Sequence, residues 1–409
     1  MNLVFRLAWR NLWRQPRRTW LTVGAIMFSN MLLVIMISLQ FGMYGLMIDN
    51  TLQAFTGHLQ IQAPGYIDDQ KMRQTVDDVV PLASNLRDHF DSDSIAARAT
   101  AFALVSSEER SYGTAVIGVE PTFEHNVSTL PGLVSQGRYL GEQDAAEIVI
   151  GAALARNLRV VLGDELTLIG SGRDGSFAAA VVNVVGVFES GLADFDRSIT
   201  EIPLGFFQDV FYMDGSGHHV VINTGSIDGV EELQARISAA LPVDEELVVH
   251  DWDALQPGLQ QAIKADMSSA FFMYGILVIL VAFSVLNTQL MSVLERTHEF
   301  GIVMSLGLTP GRLSRLVLLE TSIMGVLGLV LGAVLGGLFT YWFNVNGFAY
   351  PGMDEMAAKF NLPARFYPQV STLSLLAGPV VVFIFTILAA LYPALKLHKL
   401  HPVEAMRAV

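Results

Sequence analysis

Four motifs in this 409-residue sequence contain residue types that can carry chemistry, and each lacks a partner that its chemistry requires. Gly170-Ser-Gly-Arg-Asp-Gly175 has the glycine spacing of a dinucleotide-binding turn. Such a turn must open a helix whose N-terminus holds the phosphates, whereas residues 177–188 have the pattern of a strand. We therefore interpret this motif as a hairpin turn.

The other three motifs are candidate metal ligands. His218 and His219 are adjacent at the start of a predicted strand, where successive side chains point to opposite faces and cannot easily share one metal ion. The two Asp-x-Asp pairs lack the remaining ligands of a calcium loop, and they are Asp91 with Asp93 and Asp194 with Asp196. The sequence contains no cysteine and no G-x-x-x-x-G-K-[ST] motif. It therefore predicts no thiol nucleophile, no ATP hydrolysis by P-loop chemistry, no metal site and no catalytic residue.

The most distinctive stretch is 295–312, which combines charged residues with an apolar helical face. Gly307 can take the left-handed conformation that closes a helix, and Thr309 with Pro310 can open the next one. A short helix of this kind could dock a soluble partner, or it could rest on lipid headgroups; its residues alone do not decide between them. The candidate contact residues are Glu295, Arg296, Glu299, Phe300, Gly301, Ile302, Leu306 and Gly307.

The chain that must position this stretch has the composition of a membrane protein, because 52% of its residues are hydrophobic and only 16% are charged. Four runs have the length of about 20 apolar residues that a bilayer requires. The predicted segments are a basic amphipathic helix (1–18), transmembrane helix 1 (19–48), an external domain (49–266), transmembrane helix 2 (267–294), the coupling turn (295–312), transmembrane helix 3 (313–343), a short external loop (344–370), transmembrane helix 4 (371–395) and a tail (396–409).

The distribution of charge predicts the orientation. Residues 1–18 contain five arginines and no acid, whereas residues 49–266 contain 12 basic and 33 acidic residues. Basic flanks stay in the cytoplasm, so we expect both termini and the 295–312 turn to be cytosolic and the 49–266 domain to be outside. The acidic surplus of that domain argues against nucleic acid as a partner.

Two further patterns concern packing. Within 49–266, alternating and helical patterns predict an α+β domain in two parts, one from 49–130 and 214–255 and the other from 131–213. In the third span, Gly328, Gly332 and Gly336 are four residues apart. Small residues at this spacing let two helix backbones approach closely inside a membrane, so we predict a helix-packing groove there.

Three motifs give these patterns a family resemblance. The turn Glu295-Arg-Thr-His-Glu-Phe-Gly-Ile resembles the E-R-T-x-E-[IF]-G-I coupling segment of the MacB/Lol/FtsX-type (type VII) ABC transporter permeases. The tail from Tyr392-Pro-Ala to Pro402-Val-Glu-Ala-Met-Arg407 is similar to their C-terminus, and Ala8-Trp-Arg-Asn-Leu to their start. Val303-Met304-Ser305 departs from the family, which often has a basic residue there, and so does His401, which stands where an acidic cap is usual.

This resemblance implies an α-helical protein with four spans and a large periplasmic α+β domain, in parts called Porter and Sabre, inserted after the first span. It implies the bacterial inner membrane as the location and a second permease, identical or paralogous, as a partner. It also implies a cytosolic ABC ATPase dimer that binds ATP and Mg²⁺ on its own chains and docks on the 295–307 helix, so no cofactor is expected on this chain.

The resemblance leaves the function between two classes. The absent ATPase domain argues against the fused efflux form, and the separate permease is most similar to the lipoprotein-releasing Lol type. We therefore expect a permease that extracts lipoprotein or another amphiphile from the outer leaflet, with or without a periplasmic adaptor. The alternative is a mechanical regulator of a periplasmic cell-wall hydrolase that transports nothing. A membrane-tethered enzyme is a third and weaker reading.

Overall fold

The computed structural model describes residues 3–141, 144–227, 229–241, 246–349 and 365–399. It divides into two compact units. Of the described residues, the membrane unit comprises those within 1–44, 262–349 and 365–399, and the sheet unit comprises those within 45–261.

The elements follow one another in this order. The first half contains α1 (Leu3–Leu12), α2 (Pro16–Thr51, followed by a π-helical turn, Leu52–Thr56), β1 (Leu59–Gln62), α3 (Tyr66–Asp69), α4 (Val79–Phe90), β2 (Ile95–Ser106), β3 (Ser111–Val119), α5 (Pro121–Val127), a 3₁₀ turn (Leu130–Leu133), β4 (Val134–Gly137), β5 (Glu147–Gly151), α6 (Ala152–Leu158), β6 (Glu165–Ser171) and β7 (Phe177–Phe188). The second half contains α7 (Ala193–Ser198), β8 (Ile199–Pro203), α8 (Leu204–Val210), β9 (His219–Ile222), α9 (Val230–Ala240), β10 (Val248–Asp251), α10 (Trp252–Leu255), α11 (Pro257–Glu295), α12 (Thr297–Ser305), α13 (Pro310–Asn346), α14 (Thr372–Lys396) and a 3₁₀ turn (Leu397–Lys399).

Within the described residues, four helices are long and apolar enough to cross a membrane. They are the helices that contain the four predicted spans, and together with the sheet they confirm the predicted fold class. Helix α11 runs furthest beyond its predicted stretch, since it begins at Pro257, and α2 and α13 each extend three residues beyond theirs at both ends. Most of the predicted tail and of the 344–370 loop lies outside the described residues, at 400–409 and 350–364.

The three spaced glycines of α13 lie against α2. A Cβ atom placed on Gly332 would be 2.5 Å from Asn30 Cβ and 2.7 Å from the carbonyl oxygen of Met27, which is closer than Cβ contacts allow. Only glycine therefore fits, and the two backbones pack directly on each other. The three contacts are Gly328 with Ile26, Gly332 with Asn30, and Gly336 with Val34.

Because Gly332 has backbone as well as side-chain neighbours, Gly332→Leu should lower the free energy of unfolding by about 1–3 kcal/mol. The measurement is thermal unfolding of the purified chain in detergent. Gly275→Leu is the matched control, because Gly275 also lies in an apolar helix but has open space where a Cβ would go. Equal unfolding midpoints for the two variants would show that the α2–α13 contact is not close-packed.

Six strands of the sheet unit close into a ring. Antiparallel or parallel pairing runs from β2 to β3, β8, β5, β7 and β6, and β6 pairs back with β2. Side chains on a strand alternate between faces, so Ala101 and Ala103 of β2 are buried in the main core while Phe102 between them is 79% exposed. Strands β9, β1 and β10 extend the sheet from β2, and β4 pairs with β7.

This arrangement can be compared with the predicted elements. Alternating residues predict strands at 58–62, 99–105 and 114–119, and helical spacing predicts a helix at 79–90; the structure confirms all four. The sequence also predicts that Asp228 caps a helix over 228–241. The motif at 170–175 joins β6 and β7 as the predicted hairpin turn. Strands from both predicted parts, 49–130 and 131–213, are hydrogen bonded in the one ring, and the two-part division stays a prediction. The predicted Asp228 cap of α9 falls outside the described residues.

One face of this sheet carries buried ionisable groups. Arg98 is fully buried and forms a bidentate ion pair with Glu124 of α5. On β8, which is separated from β2 by β3, Glu201 accepts a hydrogen bond from the Tyr139 hydroxyl at 2.5 Å. Burial and the nearby Glu124 carboxylate raise the pKa of Glu201 to about 8, so this side chain is largely protonated at neutral pH. The layer therefore holds one ion pair and one neutral acid.

His218 and His219 are buried in the same unit. The Thr100 backbone N–H donates to His218 Nδ1 at 2.9 Å, and the His218 ring stacks on Tyr66 with centroids 5.0 Å apart. Burial lowers the pKa of His218 to about 4 and holds the pKa of His219 well below its ordinary value. Both imidazoles are therefore neutral at physiological pH.

Candidate functional site

The 295–312 turn folds as predicted into a short helix between two spans. Helix α11 ends at Glu295 and α12 begins two residues later at Thr297. Gly307 has a φ of +98° and its N–H donates to the Met304 carbonyl at 3.0 Å, so it closes the helix as a glycine can. Thr309 is the N-cap residue of α13, but its side chain makes no capping hydrogen bond, and Pro310 occupies the first turn.

One face of α12 packs inward. Phe300 is 3% exposed and Met304 8% exposed, and Gly301 is buried between them. They form a core cluster with residues of α11, α13 and the C-terminal 3₁₀ turn, namely Val293, Leu313, Val317 and Leu397. This cluster holds α12 on the ends of the spans, because its removal from contact would expose a continuous apolar surface.

The opposite face of α12 is exposed, and it differs in part from the predicted contact set. Ile302 is 43% and Leu306 82% exposed. Phe300 and Gly301 lie on the inner face, so the apolar residues that can touch a partner directly are Ile302 and Leu306. Sequence alone did not separate the two faces, because the helix is apolar on both sides. The exposed residues of the turn are Glu295, His298, Glu299, Ile302, Ser305, Leu306, Gly307, Thr309 and Arg312.

A buried carboxylate joins α12 to the neighbouring helices. Glu320 of α13 is 5% exposed and accepts from Arg296 Nη1 at 3.1 Å and from Asn11 Nδ2 at 2.7 Å. The Arg296 guanidinium also lies over the Phe300 ring, 5.1 Å from its centroid. Sequence analysis did not single out Glu320 or Asn11. The available signal was a lone acid inside an apolar run, which normally requires a partner.

The exposed charges of the turn pair with the N-terminal arginines. Arg18 contacts Glu295 at 3.2 Å, and Arg14 contacts Glu299 at 3.8 Å with both side chains more than half exposed. Exposed pairs of this kind contribute about 0–1 kcal/mol, so they orient the helix without fixing it. Glu299 remains accessible for a contact with another molecule.

This arrangement has the features of a binding surface. Within the described ranges, no three His, Cys, Asp or Glu side chains are grouped to hold a metal ion. The site presents two exposed apolar side chains, Ile302 and Leu306, bordered by Glu299 and Ser305 on a helix that is held from behind. An apolar centre with a polar rim is typical of a protein interface.

Family models match most of the chain. The FtsX-like permease C-terminal model matches residues 271–402, and the MacB-like periplasmic core domain model matches residues 19–240, more than half of the sequence. The chain is a MacB/Lol/FtsX-type ABC transporter permease. This confirms the family that the motifs at 8–12, 295–307 and 392–407 indicated.

Similar proteins carry related names. The lipoprotein-releasing system transmembrane protein LolC of Xylella fastidiosa (strain 9a5c) is 24% identical over 325 residues, which is 73% of this chain and 74% of that protein. LolE of Haemophilus influenzae is 24% identical over 323 residues, 74% of each chain. An uncharacterized ABC transporter permease of Bacillus subtilis, YknZ, is 25% identical over 232 residues, 55% of this chain and 54% of that one.

Two solved structures also match the permease. The periplasmic region of MacB from Actinobacillus actinomycetemcomitans has a TM-score of 0.37 at 15% identity, covering 52% of this chain and 96% of that one. The extracellular domain of YknZ has a TM-score of 0.34 at 16% identity, covering 47% of this chain and 99% of that one.

The two faces of α12 should respond differently to truncation. Phe300→Ala removes a buried ring and should lower the free energy of unfolding by about 3–5 kcal/mol. Ile302→Ala, on the exposed face, should change it by less than about 0.5 kcal/mol. Thermal or denaturant unfolding of the full chain in detergent measures both, and a Phe300→Ala variant as stable as Ile302→Ala would contradict the inward packing of α12.

Proposed function

We propose that this permease couples ATP hydrolysis by a separate cytosolic ATPase to the release of lipoprotein, or of another amphiphile, from the outer leaflet of the inner membrane. The observation that carries the proposal is the exposed pair Ile302 and Leu306 on a helix whose other face is buried. Ile302 and Leu306 together expose apolar surface on one side of this helix, and a docked partner would remove that surface from water.

The contacts that hold α12 against the neighbouring helices support its use as the docking element. Phe300 lies in a core cluster and Arg296 is paired with Glu320, so displacement of α12 would strain contacts to α13. Removing one partner of a buried ion pair lowers the free energy of unfolding by about 3–5 kcal/mol. A partner that pushes on Ile302 and Leu306 would therefore move the ends of the spans together with α12. In this proposal ATP and Mg²⁺ stay on the ATPase, and this chain supplies the contact.

The charge pattern supports the orientation that the proposal needs. Arg14, Arg17 and Arg18 precede the first span, whereas the sheet unit is strongly acidic. Basic residues are retained on the cytosolic side, so α12 would face the cytosol and the sheet unit the periplasm.

This orientation is testable by cysteine accessibility, since the chain has no native cysteine. In intact cells, a membrane-impermeant maleimide should label Gly175→Cys, in the β6–β7 turn, and should leave Ser305→Cys unlabelled. Both should be labelled after the cells are opened. Labelling of Ser305→Cys in intact cells would place α12 outside and would exclude docking to a cytosolic ATPase.

The substrate class is supported by the relatives. LolC and LolE, each 24% identical over about three quarters of this chain, are named for lipoprotein release. A permease of this kind is expected to act with a second permease, either another copy of this chain or a paralogue. We place lipoprotein first and other amphiphiles second.

Leu306→Ala tests the docking and the function together. Truncating an apolar anchor at an interface costs about 1–2 kcal/mol, so ATPase affinity should fall about 5- to 30-fold. Co-purification of the ATPase with the full permease and transfer of a lipoprotein out of proteoliposomes should fall together.

Leu162→Ala is the control, because Leu162 is an exposed leucine of the sheet unit. Unfolding midpoints should match the parent for both variants. An unchanged ATPase affinity for Leu306→Ala would remove α12 as the dock. Undiminished docking in the parent protein without any lipoprotein transfer would overturn the substrate assignment alone.

A further inference from the structure

The sheet unit contains a cavity at the end of α2. Its volume is about 440 Å³, within the range of small-molecule sites. Five apolar side chains form most of its wall, four of them partly buried and Leu192 exposed, and they come from the π-helical turn, the 3₁₀ turn, the β7–α7 loop, α7 and β8. They are Phe55, Leu133, Leu192, Phe195 and Ile199.

Contacts between aromatic rings hold one wall of this cavity in place. The Phe55 and Phe195 rings meet edge to face with centroids 6.4 Å apart, and Phe195 contacts Phe188 in the same way at 6.2 Å. Behind Phe55, the buried Arg98 donates to its carbonyl oxygen and stacks over its ring at 4.6 Å. Phe55 is thus held by the Arg98–Glu124 ion pair and cannot easily turn inward to fill the space.

Several polar side chains of the lining have hydrogen-bond partners. Gln256 donates to the Thr56 hydroxyl at 2.9 Å, and Gln53 donates to the Gly225 carbonyl at 2.9 Å. The Asn50 Nδ2 atom, by contrast, is buried and has no hydrogen-bond partner within the described part of the chain. An unpaired buried donor is unfavourable, so a ligand carbonyl placed there would remove that cost.

The cavity also lies close, along α2, to the predicted end of the first span, and membrane lipid is a source of apolar ligands. Asn50 follows Ile48, the last residue of the predicted first span, by two positions, which is about 3 Å along the axis of α2. Leu192 stands at the rim and is 53% exposed, so an apolar side chain borders the opening.

From these observations we propose that the cavity binds a single acyl chain, whose ester or amide carbonyl accepts a hydrogen bond from Asn50. The chain can belong to a membrane phospholipid or to a lipid-anchored protein, and the second source rests on the proposed function. The apolar wall is too small for a whole multi-chain lipid, so the remaining chains would stay outside.

The test is photolabelling of the full chain in lipid nanodiscs. One arm uses phosphatidylglycerol with a diazirine near the end of an acyl chain, and the other uses a synthetic triacylated lipopeptide with the same group. Peptides that contain Leu133 or Phe195 should be labelled in at least one arm. Labelling by the lipopeptide alone identifies a substrate chain, and labelling in both arms identifies an acyl-chain site open to membrane lipid.

Leu192→Asp is the blocking variant, because a carboxylate at the rim must lose water when an apolar chain covers it. Labelling of the cavity peptides should fall at least about fivefold, while labelling of the spans stays unchanged. Leu162→Asp, at an exposed leucine outside the cavity, is the matched control and should label as the parent does.

The proposal fails if neither arm labels the cavity peptides, or if Leu192→Asp labels as strongly as Leu162→Asp.

Asn50→Leu tests the hydrogen bond. The ratio of labelling by the ester-containing probe to labelling by a purely hydrocarbon diazirine probe should be lower in this variant than in the parent, and an equal ratio in both would exclude the Asn50 hydrogen bond. The assay requires no ATPase, nucleotide or lipoprotein transfer. Its result therefore stands apart from the docking test at Leu306.

Discussion

A carboxylate inside an apolar helix must be paired, and the arrangement of one end of the membrane unit follows from that requirement. This is the end that we propose to face the cytosol. Glu320 is 5% exposed within α13, where an unpaired charge would be strongly unfavourable. Arg296 and Asn11 meet it from two other parts of the chain. Because Arg296 immediately precedes α12 and lies over Phe300, the pairing of Glu320 also sets where α12 begins and which face it turns inward.

The contact of α2 with α13 is the second constraint on the membrane unit. Gly332 brings the backbone of α13 against Asn30 and the Met27 carbonyl of α2, so the two helices have little freedom to slide. The glycine contact and the Glu320 contacts lie on the same helix, α13. A displacement of α12 would therefore reach the first span through close-packed groups and not through a flexible loop, as the proposed coupling to an ATPase requires.

The sheet unit uses buried polar groups in a related way. Closure of the six-stranded ring leaves one sheet face for α5 and the π-helical turn to cover, and Arg98 with Glu124 ties α5 to β2 there. Arg98 also holds Phe55, and Phe55 forms part of the cavity wall at the end of α2. The ion pair thus keeps open a space that apolar side chains alone would tend to fill.

Residue patterns within short segments of the chain were sufficient to predict these secondary-structure elements and the family. The length and composition of the apolar runs predicted the four spans, Gly307 predicted the end of α12, and the charge and motif pattern of 295–307 indicated the permease family. Each of these depends on residues close together in the chain, where periodicity and backbone preference act. The same holds for the hairpin at 170–175, which strand patterning predicted.

What local pattern could not decide is which groups meet across the chain. Phe300 and Ile302 are both apolar, and only the packing of Val293, Leu313 and Leu397 against one face makes Phe300 the buried residue and Ile302 the exposed one. Ring closure through β6 and β2 joins strands some 60 residues apart, and the Glu320–Asn11 hydrogen bond joins residues 309 apart. Such contacts form only when the whole fold brings the groups together, so no periodicity within either segment records them. The sequence by itself therefore determined the spans, the short helix between the second and third spans and the family, and the tertiary structure alone decided which side of that helix is exposed and where a cavity remains.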